Sequence, residues 1–282
     1  MTRRPFIVAE VGANHLGSLA RAHSIIEAAA HAGADGVKLQ AFTPEQMVDA
    51  DKVIEAGPWA GMLAIQLYRE ALTPREWFPE LFNHAKEVGL VAFASVFHPD
   101  DVYYLETLEC PLYKIASFEI TDLTLIRYAA ATRKPIMIST GMATSEEIRV
   151  AAQAADESPD LTLLKCTSAY PSDASESNLA TMQHLGHFPR CRAFGLSDHT
   201  RGIGVAVAAV ALGASVIEKH LTLRRKDGGP DAAFSMEPEE FELLVTECRT
   251  AAAAIGNVQY GPTPGEAAQL LLRRKPGGKR GD

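Results

Sequence analysis

The chain has 282 residues, 47% hydrophobic and 22% charged, with a formal net charge of −8. That suits one large α/β barrel or two modest domains with ample core. No long basic run is interleaved with aromatics, which excludes nucleic acid as the expected partner, and no apolar stretch is long enough to span a membrane. The four cysteines, Cys110, Cys166, Cys191 and Cys248, are widely spaced without a CxxC pair. A disulfide framework or zinc knuckle is not expected, and a reducing cytoplasm fits. The first apolar run is interrupted by Glu10, too early for a signal sequence.

Taken in order, the chain alternates strand and helix signals. Phe6 to Gly12 reads as a first strand, with Asn14, His15 and Gly17 in the turn after it. Ser18 can cap a helix through Ala32, and Asp35 to Gln40 reads as the second strand. Ala41 to Leu72 is a long connection containing Trp59 and a helical stretch near Leu63 to Glu70. Connections of that length often carry function. Thr73-Pro-Arg-Glu76 resembles a capping box that starts a helix ending at Gly89.

Strands then fall at Leu90 to Val96, Leu112 to Ser117, Pro135 to Thr140 and Leu161 to Cys166. Helices are expected from Pro99, over Thr121 to Thr132, after Thr144 and over Ser175 to Leu185. Phe194 to Thr222 holds a strand, a helix and a parallel strand, and a last helix runs from Glu237 to Gly256. Eight strand–helix units in about 255 residues define the size of a (β/α)8 TIM barrel, an α/β fold. A doubly wound open sheet fits less well, since no GxGxxG follows the first strand. The expected organisation is a single barrel domain over residues 1–262 and a mobile basic tail over 263–282.

In such a barrel the chemistry lies where strands end. Those positions carry Glu10, Lys38 with Gln40, Ser95, Lys114 with Ser117 and Glu119, and Ser139 with Thr140. Thr167, Ser168 and Tyr170 follow, then Ser197 with His199, and Glu218 with His220. Eight polar strand ends around one rim fit a small, charged ligand. Lys38 and Lys114 stand where aliphatic residues are expected, and an unpaired buried ammonium costs several kcal/mol, so they either pair with Glu10 or Glu119 or face an anion. Lys114 and Ser117 have opposite strand parity, so one lies past a bend.

His199 and His220 end neighbouring strands and are either bonded core histidines or two ligands of a metal with open positions. Two nitrogens leave magnesium, manganese, cobalt and zinc open. His15 is either a third polar group at the mouth or a turn stabiliser. Asp198 has the other parity and reads as loop support. Asp231, on a glycine-rich loop, could reach across the mouth. Cys166 reads as a small buried residue rather than a nucleophile.

These residues lie in segments that resemble the sialic acid synthase family of phosphoenolpyruvate-condensing enzymes. The segments are Ala9-Glu-Val-Gly-Ala-Asn-His15, Gly33-Ala-Asp-Gly-Val-Lys-Leu-Gln40, Tyr113-Lys-Ile-Ala-Ser117, Ser139-Thr-Gly-Met142, Gly195-Leu-Ser-Asp-His-Thr200, Glu218-Lys-His220 and Gly229-Pro-Asp231. They cover nearly all of residues 5–260. Leu72-Thr-Pro-Arg-Glu-Trp77 and Lys165-Cys-Thr-Ser-Ala-Tyr-Pro171 resemble pseudaminic acid synthases in particular.

The resemblance implies a divalent metal, usually manganese or magnesium, on His199 and His220. It implies that Lys38, Lys114, Ser95, Ser117, Ser139, Ser168 and Ser197 hold phosphoenolpyruvate. Glu10, Gln40, Tyr170 and Asp231 would handle an open-chain aldehyde sugar, with Glu10 as acid/base and Glu119 near the sugar or the attacking water. A homodimer is also implied. Leu16, Val96 and Arg75 depart from the usual asparagine, proline and tryptophan. Members usually continue into a small antifreeze-like domain that supplies an arginine to the partner's sugar site, and these 282 residues are expected to lack it. The resemblance therefore carries a phosphoenolpyruvate-dependent nonulosonic acid synthase. The alternatives are the same condensation on another aldehyde, or a non-catalytic ligand-binding barrel.

Overall fold

A computed structural model describes residues 4–55, 57, 59–274 and 276–278. Its strands are β1 (Phe6–Glu10), β2 (Gly36–Ala41), β3 (Val91–Val96), β4 (Tyr113–Ile115), β5 (Ile136–Ser139), β6 (Leu161–Cys166), β7 (Cys191–Asp198) and β8 (Val216–His220). All neighbouring strands are parallel, and β8 pairs with β1 to close the barrel. Helices α1 (Leu19–His31), α2 (Pro44–Met47), α3 (Ala64–Ala71), α4 (Phe78–Glu87), α5 (Pro99–Glu106), α6 (Leu123–Ala131), α7 (Ser145–Ala154), α8 (Leu179–Leu185), α9 (Gly204–Ala211) and α10 (Pro238–Ile255) follow the strands. This is the single-domain (β/α)8 barrel expected from the alternation.

Strand parity separates two environments. Ile7, Ala9, Val37, Leu39, Ala94, Ile138, Leu163 and Ile217 alternate with the site-bearing positions and belong to the buried apolar cluster shared with the helices. α1 answers with Ala22, Ile25, Ile26 and Ala29, spaced to form one helical face. Ser18 caps α1 by accepting from Arg21 N, and Thr144 with Glu147 forms a capping box on α7. Inside, Phe6 fills the floor: a Cβ on Gly36 would lie 2.9 Å from its ring.

Four local expectations change. Strand four ends at Ile115, because Ser117 opens a 3-10 turn over Ser117–Glu119. The helix expected over Ser175 to Leu185 is α8 and begins only at Leu179, since Asn178 adopts a left-handed φ of 44° and separates it from the turn at Ala174–Glu176. Thr73 does not cap a helix. It is buried and its hydroxyl meets His15 Nε2 at 3.2 Å, while Pro74 precedes a 3-10 turn leading into α4. Beyond α10, Pro264–Leu272 forms an exposed 3-10 helix capped by Thr263 and Glu266. Met1 to Arg3 and the tail residues Lys275, Lys279 and Arg280 lie outside the described residues. Among the described residues, no helix is long and apolar enough to cross a membrane.

Gly195 lies on β7 beside Val216 of β8, where the backbone leaves no room for a side chain. A Cβ there would lie 2.2 Å from the Val216 carbonyl oxygen and 3.0 Å from Leu164 Cδ2. Backbone cannot yield as a side-chain tip can. Gly195→Ala is predicted to destabilise the barrel by about 3 kcal/mol, the upper end for overpacking. Urea unfolding checks this, and a loss below about 1 kcal/mol contradicts the packing argument.

Candidate active site

Lys38, Lys114, Glu10 and Glu218 meet inside the C-terminal end of the barrel, each at most 5% exposed. Parity aims them inward, and pairing sets their heights: Glu10 lies opposite Lys38 on one side and His220 on the other. Lys38 Nζ is 3.0 Å from Glu10 Oε2 and 3.5 Å from Glu218 Oε1, and donates to Ser95 Oγ at 2.9 Å. Gln40 Nε2 donates to Glu10 Oε1 at 2.6 Å. Ser197 Oγ donates to Glu218 Oε1 at 3.0 Å.

Lys114 differs. Its Nζ donates to Ser139 Oγ at 2.7 Å and to the Ile115 carbonyl at 3.1 Å, and it forms no ion pair among the described residues. Burial lowers its pKa; Glu218 opposes that shift and the Lys38 charge adds to it.

The two carboxylates are pushed apart. Burial raises Glu10, against Lys38, and the Glu218 charge raises it further. Glu218 is also buried, yet Lys114 and Lys38 together bring it below its ordinary value. Lys38 is raised, because Glu10 and Glu218 outweigh the cost of burial. Two neighbouring carboxyls whose environments push their pKa values in opposite directions are an arrangement acid–base chemistry uses.

Ser117 lies past the bend, where its Oγ accepts from Gly141 N at 3.0 Å. A Cβ on Gly141 would lie 2.3 Å from Ser168 Oγ and 2.7 Å from Ser117 Oγ. Those hydroxyls therefore occupy the space that a side chain at position 141 would need.

On the other side stand the imidazoles, with ring centroids 5.5 Å apart. His199 Nδ1 lies 3.1 Å from the Thr167 carbonyl; in the tautomer that donates this bond, Nε2 keeps a free lone pair. His220 Nδ1 is buried without a hydrogen-bond partner, 3.6 Å from Asp231 Oδ2. Two aimed nitrogens, one orphaned, fit a divalent ion that takes its other ligands from water or substrate. Among the described residues, no group of three or more His, Cys, Asp or Glu is arranged to hold one alone.

Tyr170 packs on His199 at 4.4 Å and on Phe234 at 5.2 Å, and Trp59 of the long connection lies 5.8 Å from Tyr170. Asp231 reaches the mouth from the loop after β8, where its Oδ2 accepts from Ala13 N at 2.8 Å. Glu119 sits on the 3-10 turn after β4, and burial raises its carboxyl to about 7.

His15 is not at the mouth. It is fully buried, bonded to Thr73 and accepting from Gly17 N, and so stabilises the turn. Cys166 is buried as expected but faces the cavity, with Sγ 3.8 Å from His199 Nδ1. Burial opposes its ionisation, yet His199 brings the thiol down to about 7. Its register opposite Ser197 was the signal for that orientation. Phe97 and Phe118 also line the cavity, about 80 Å³ in volume, and nothing in their local sequence marks them.

The fold and this chamber define a (β/α)8 barrel whose C-terminal end gathers two buried lysines and two buried carboxyls beside two imidazoles. The NeuB family profile matches residues 25–260. A pseudaminic acid synthase of Helicobacter pylori is 43% identical over 262 residues, spanning 91% of this chain and 77% of its own. An N,N'-diacetyllegionaminic acid synthase of Campylobacter jejuni is 37% identical, over 97% of this chain and 84% of its own. The crystal structure of an N-acetylneuraminic acid synthetase from Leptospira borgpetersenii, in complex with citrate, superposes with a TM-score of 0.86 at 32% identity, covering 97% of this chain and 94% of that one. The chain belongs to the NeuB family, and it is an enzyme, a synthase.

Glu119 gives a pH prediction. Its folded pKa, about 7, lies above the ordinary 4.5. The stabilising contribution of the neutral carboxyl is full below pH 4.5 and is lost as pH rises through 7. Glu119→Gln is therefore predicted to match wild-type stability at pH 5 and to exceed it at pH 8. Chemical melts at the two values decide it, and an equal gain at both contradicts the assignment.

Proposed function

We propose that this chain condenses phosphoenolpyruvate with an open-chain amino-sugar aldehyde to give a nonulosonic acid and inorganic phosphate. The observation that carries the reading is Lys114, a buried ammonium bonded only to neutral oxygens and set beside a second lysine. Such a group is costly until an anion joins it. A phosphate and a carboxylate on one small substrate would supply two, with Ser95, Ser117, Ser139, Ser168 and Ser197 as hydroxyl donors around them. The naming of its relatives as sugar acid synthases supports the same reading.

In this scheme a bond forms between C3 of phosphoenolpyruvate and the aldehyde carbon, whose oxygen takes up a proton. Water adds at C2 with loss of a proton, and phosphate departs by cleavage of its C–O bond. Lys38 and Lys114 bind and orient the anion, and burial excludes competing water. Glu10, held by Gln40, would act as the acid/base near the reacting atoms, its carboxyl raised by burial. Glu119 and Tyr170 would border the acceptor, and Asp231 would receive sugar hydroxyls. His199 and His220 would hold a divalent ion, manganese or magnesium foremost, which when bound supplies Lewis-acid polarisation of the aldehyde oxygen.

The pseudaminic acid precursor, 2,4-diacetamido-2,4,6-trideoxy-L-altrose, is the first acceptor to test. A second reading keeps the chemistry and changes the aldehyde. Leu16 favours it: a Cβ on Gly229, in the loop that carries Asp231, would lie 2.3 Å from Leu16 Cδ2, so an apolar side chain covers that loop. Free Cys110, Cys166, Cys191 and Cys248 suit a reducing cytoplasm.

The test is phosphate release with a panel of aldehydes. Lys114→Met and His199→Ala are each expected to lower kcat/KM at least 100-fold, about 2.7 kcal/mol or more. A chelator is expected to abolish release and manganese to restore it. Unchanged rates in both variants would sink the synthase reading, and release only with other aldehydes would select the second. The reading also carries a homodimer, which the exposed apolar side chains of Val258, Tyr260 and Leu271 support. Light scattering is expected to give twice the monomer mass; a monomer throughout the assay concentrations contradicts it.

A further inference from the structure

Behind the two imidazoles, on the outer face of the barrel, lies an ion pair that contacts no part of the cavity. Asp198 and Lys219 are paired residues on β7 and β8. Each immediately precedes a histidine, so each points away from the cavity while its neighbour points in. Their side chains are 1% and 0% exposed, and Lys219 Nζ lies 2.6 Å from Asp198 Oδ2.

We propose that this pair is a positioning clamp that sets the separation and angle of His199 and His220. Lys219 also donates to the Thr200 carbonyl at 2.6 Å. Asp198 Oδ1 accepts from Thr200 N at 2.8 Å and from Thr200 Oγ1 at 2.7 Å. The residues on both sides of His199 are thus held by Lys219, the residue just before His220. Moving one imidazole moves the anchor of the other. The carbonyls of the histidines are tied as well, His199 to Ser172 N at 3.1 Å and His220 to Met236 N at 2.9 Å.

Stability alone is a poor account of the pair. Replacing a buried ion pair by packed apolar side chains is often neutral or favourable. An apolar pair would fill the volume but could not reproduce the four directional bonds that end β7. Those bonds fix where the turn starts, and therefore where the His199 ring stands. Asp198, Thr200 and Lys219 touch no reacting atom in this account; they act through the histidines.

The inference deepens the metal reading of His199 and His220 and rests on it for its use, but its geometry can be tested without metal. Manganese is titrated into the whole purified chain and free ion is read by electron paramagnetic resonance. In parallel, the imidazole ¹⁵N resonances of metal-free protein are recorded. Asp198→Asn and Lys219→Met are expected to weaken manganese binding by roughly 10–100-fold, the usual effect of losing a group that orients a ligand. Metal-free phosphoenolpyruvate binding, which depends on Lys38 and Lys114, is expected to stay at the wild-type value. Thr200→Val keeps the ion pair and is expected to shift or broaden the His199 resonance, so it serves if the other variants do not fold. Unchanged His199 and His220 resonances in the folded variants overturn the clamp, as does equal loss of manganese and phosphoenolpyruvate binding. A wild-type chain that binds no manganese sinks the metal reading, and the imidazole comparison still decides the clamp.

Discussion

Closing eight parallel strands into a barrel leaves each strand one inward side chain in two. The strand-borne part of the site follows from that constraint. Helices cover the outward set, which is mainly apolar, with the buried Asp198–Lys219 pair an exception. Ile7 and Ala9, Val37 and Leu39, and Ile136 and Ile138 obey this and are essentially unexposed. The inward set is free to be polar only near the C-terminal ends, where the chamber opens. Lys38 with Gln40 and Glu218 with His220 occupy those levels. A slip of one residue in either strand would exchange the chamber for the apolar layer, so register here is fixed by both faces at once.

The constraint has an electrostatic consequence. Charges brought together inside a barrel have little water to share, so each titrates against the others. Lys38 is satisfied by Glu10, Glu218 and Ser95, whereas Lys114 has only Ser139 and a carbonyl. Glu218 is lowered by both lysines, while Glu10 is driven up by burial and by the Glu218 charge. Two lysines and two carboxyls thus share one chamber, an arrangement that opposes stability and is expected where local rules yield to function.

The parts legible in the sequence are those that parity and period determine. Eight strands, the barrel, the inward lysines and both strand-end histidines all follow from counting residues along local runs. What was not legible depends on contacts between distant segments. His15 looks like a candidate for the mouth until Thr73, 58 residues away, takes its Nε2. The Thr73 capping box has the right residue types, but that same contact removes the hydroxyl a cap needs. Ser117 could be placed past a bend by parity, though the bend itself came from where β5 and Gly141 lie. Cys166 was read by its hydrophobicity, when its register with Ser197 was the better guide.

The same division separates the floor of the site from its roof. The floor is strand, cross-linked by ladder hydrogen bonds, and carries Lys38, Lys114, Ser95, Ser139, Ser197 and His220. The roof is made of side chains on loops: Phe97 after β3, Phe118, which is 63% exposed, after β4, and Tyr170 after β6, with Trp59 against it. The cavity between them is about 80 Å³. The strands cannot part without breaking the barrel, so any adjustment around a ligand falls to the roof. Loops with fewer buried contacts open at lower cost than core strands. The charge pattern of the floor is thus set by closure of the barrel, whereas the way in is shaped by loop side chains such as Phe97, Phe118 and Tyr170.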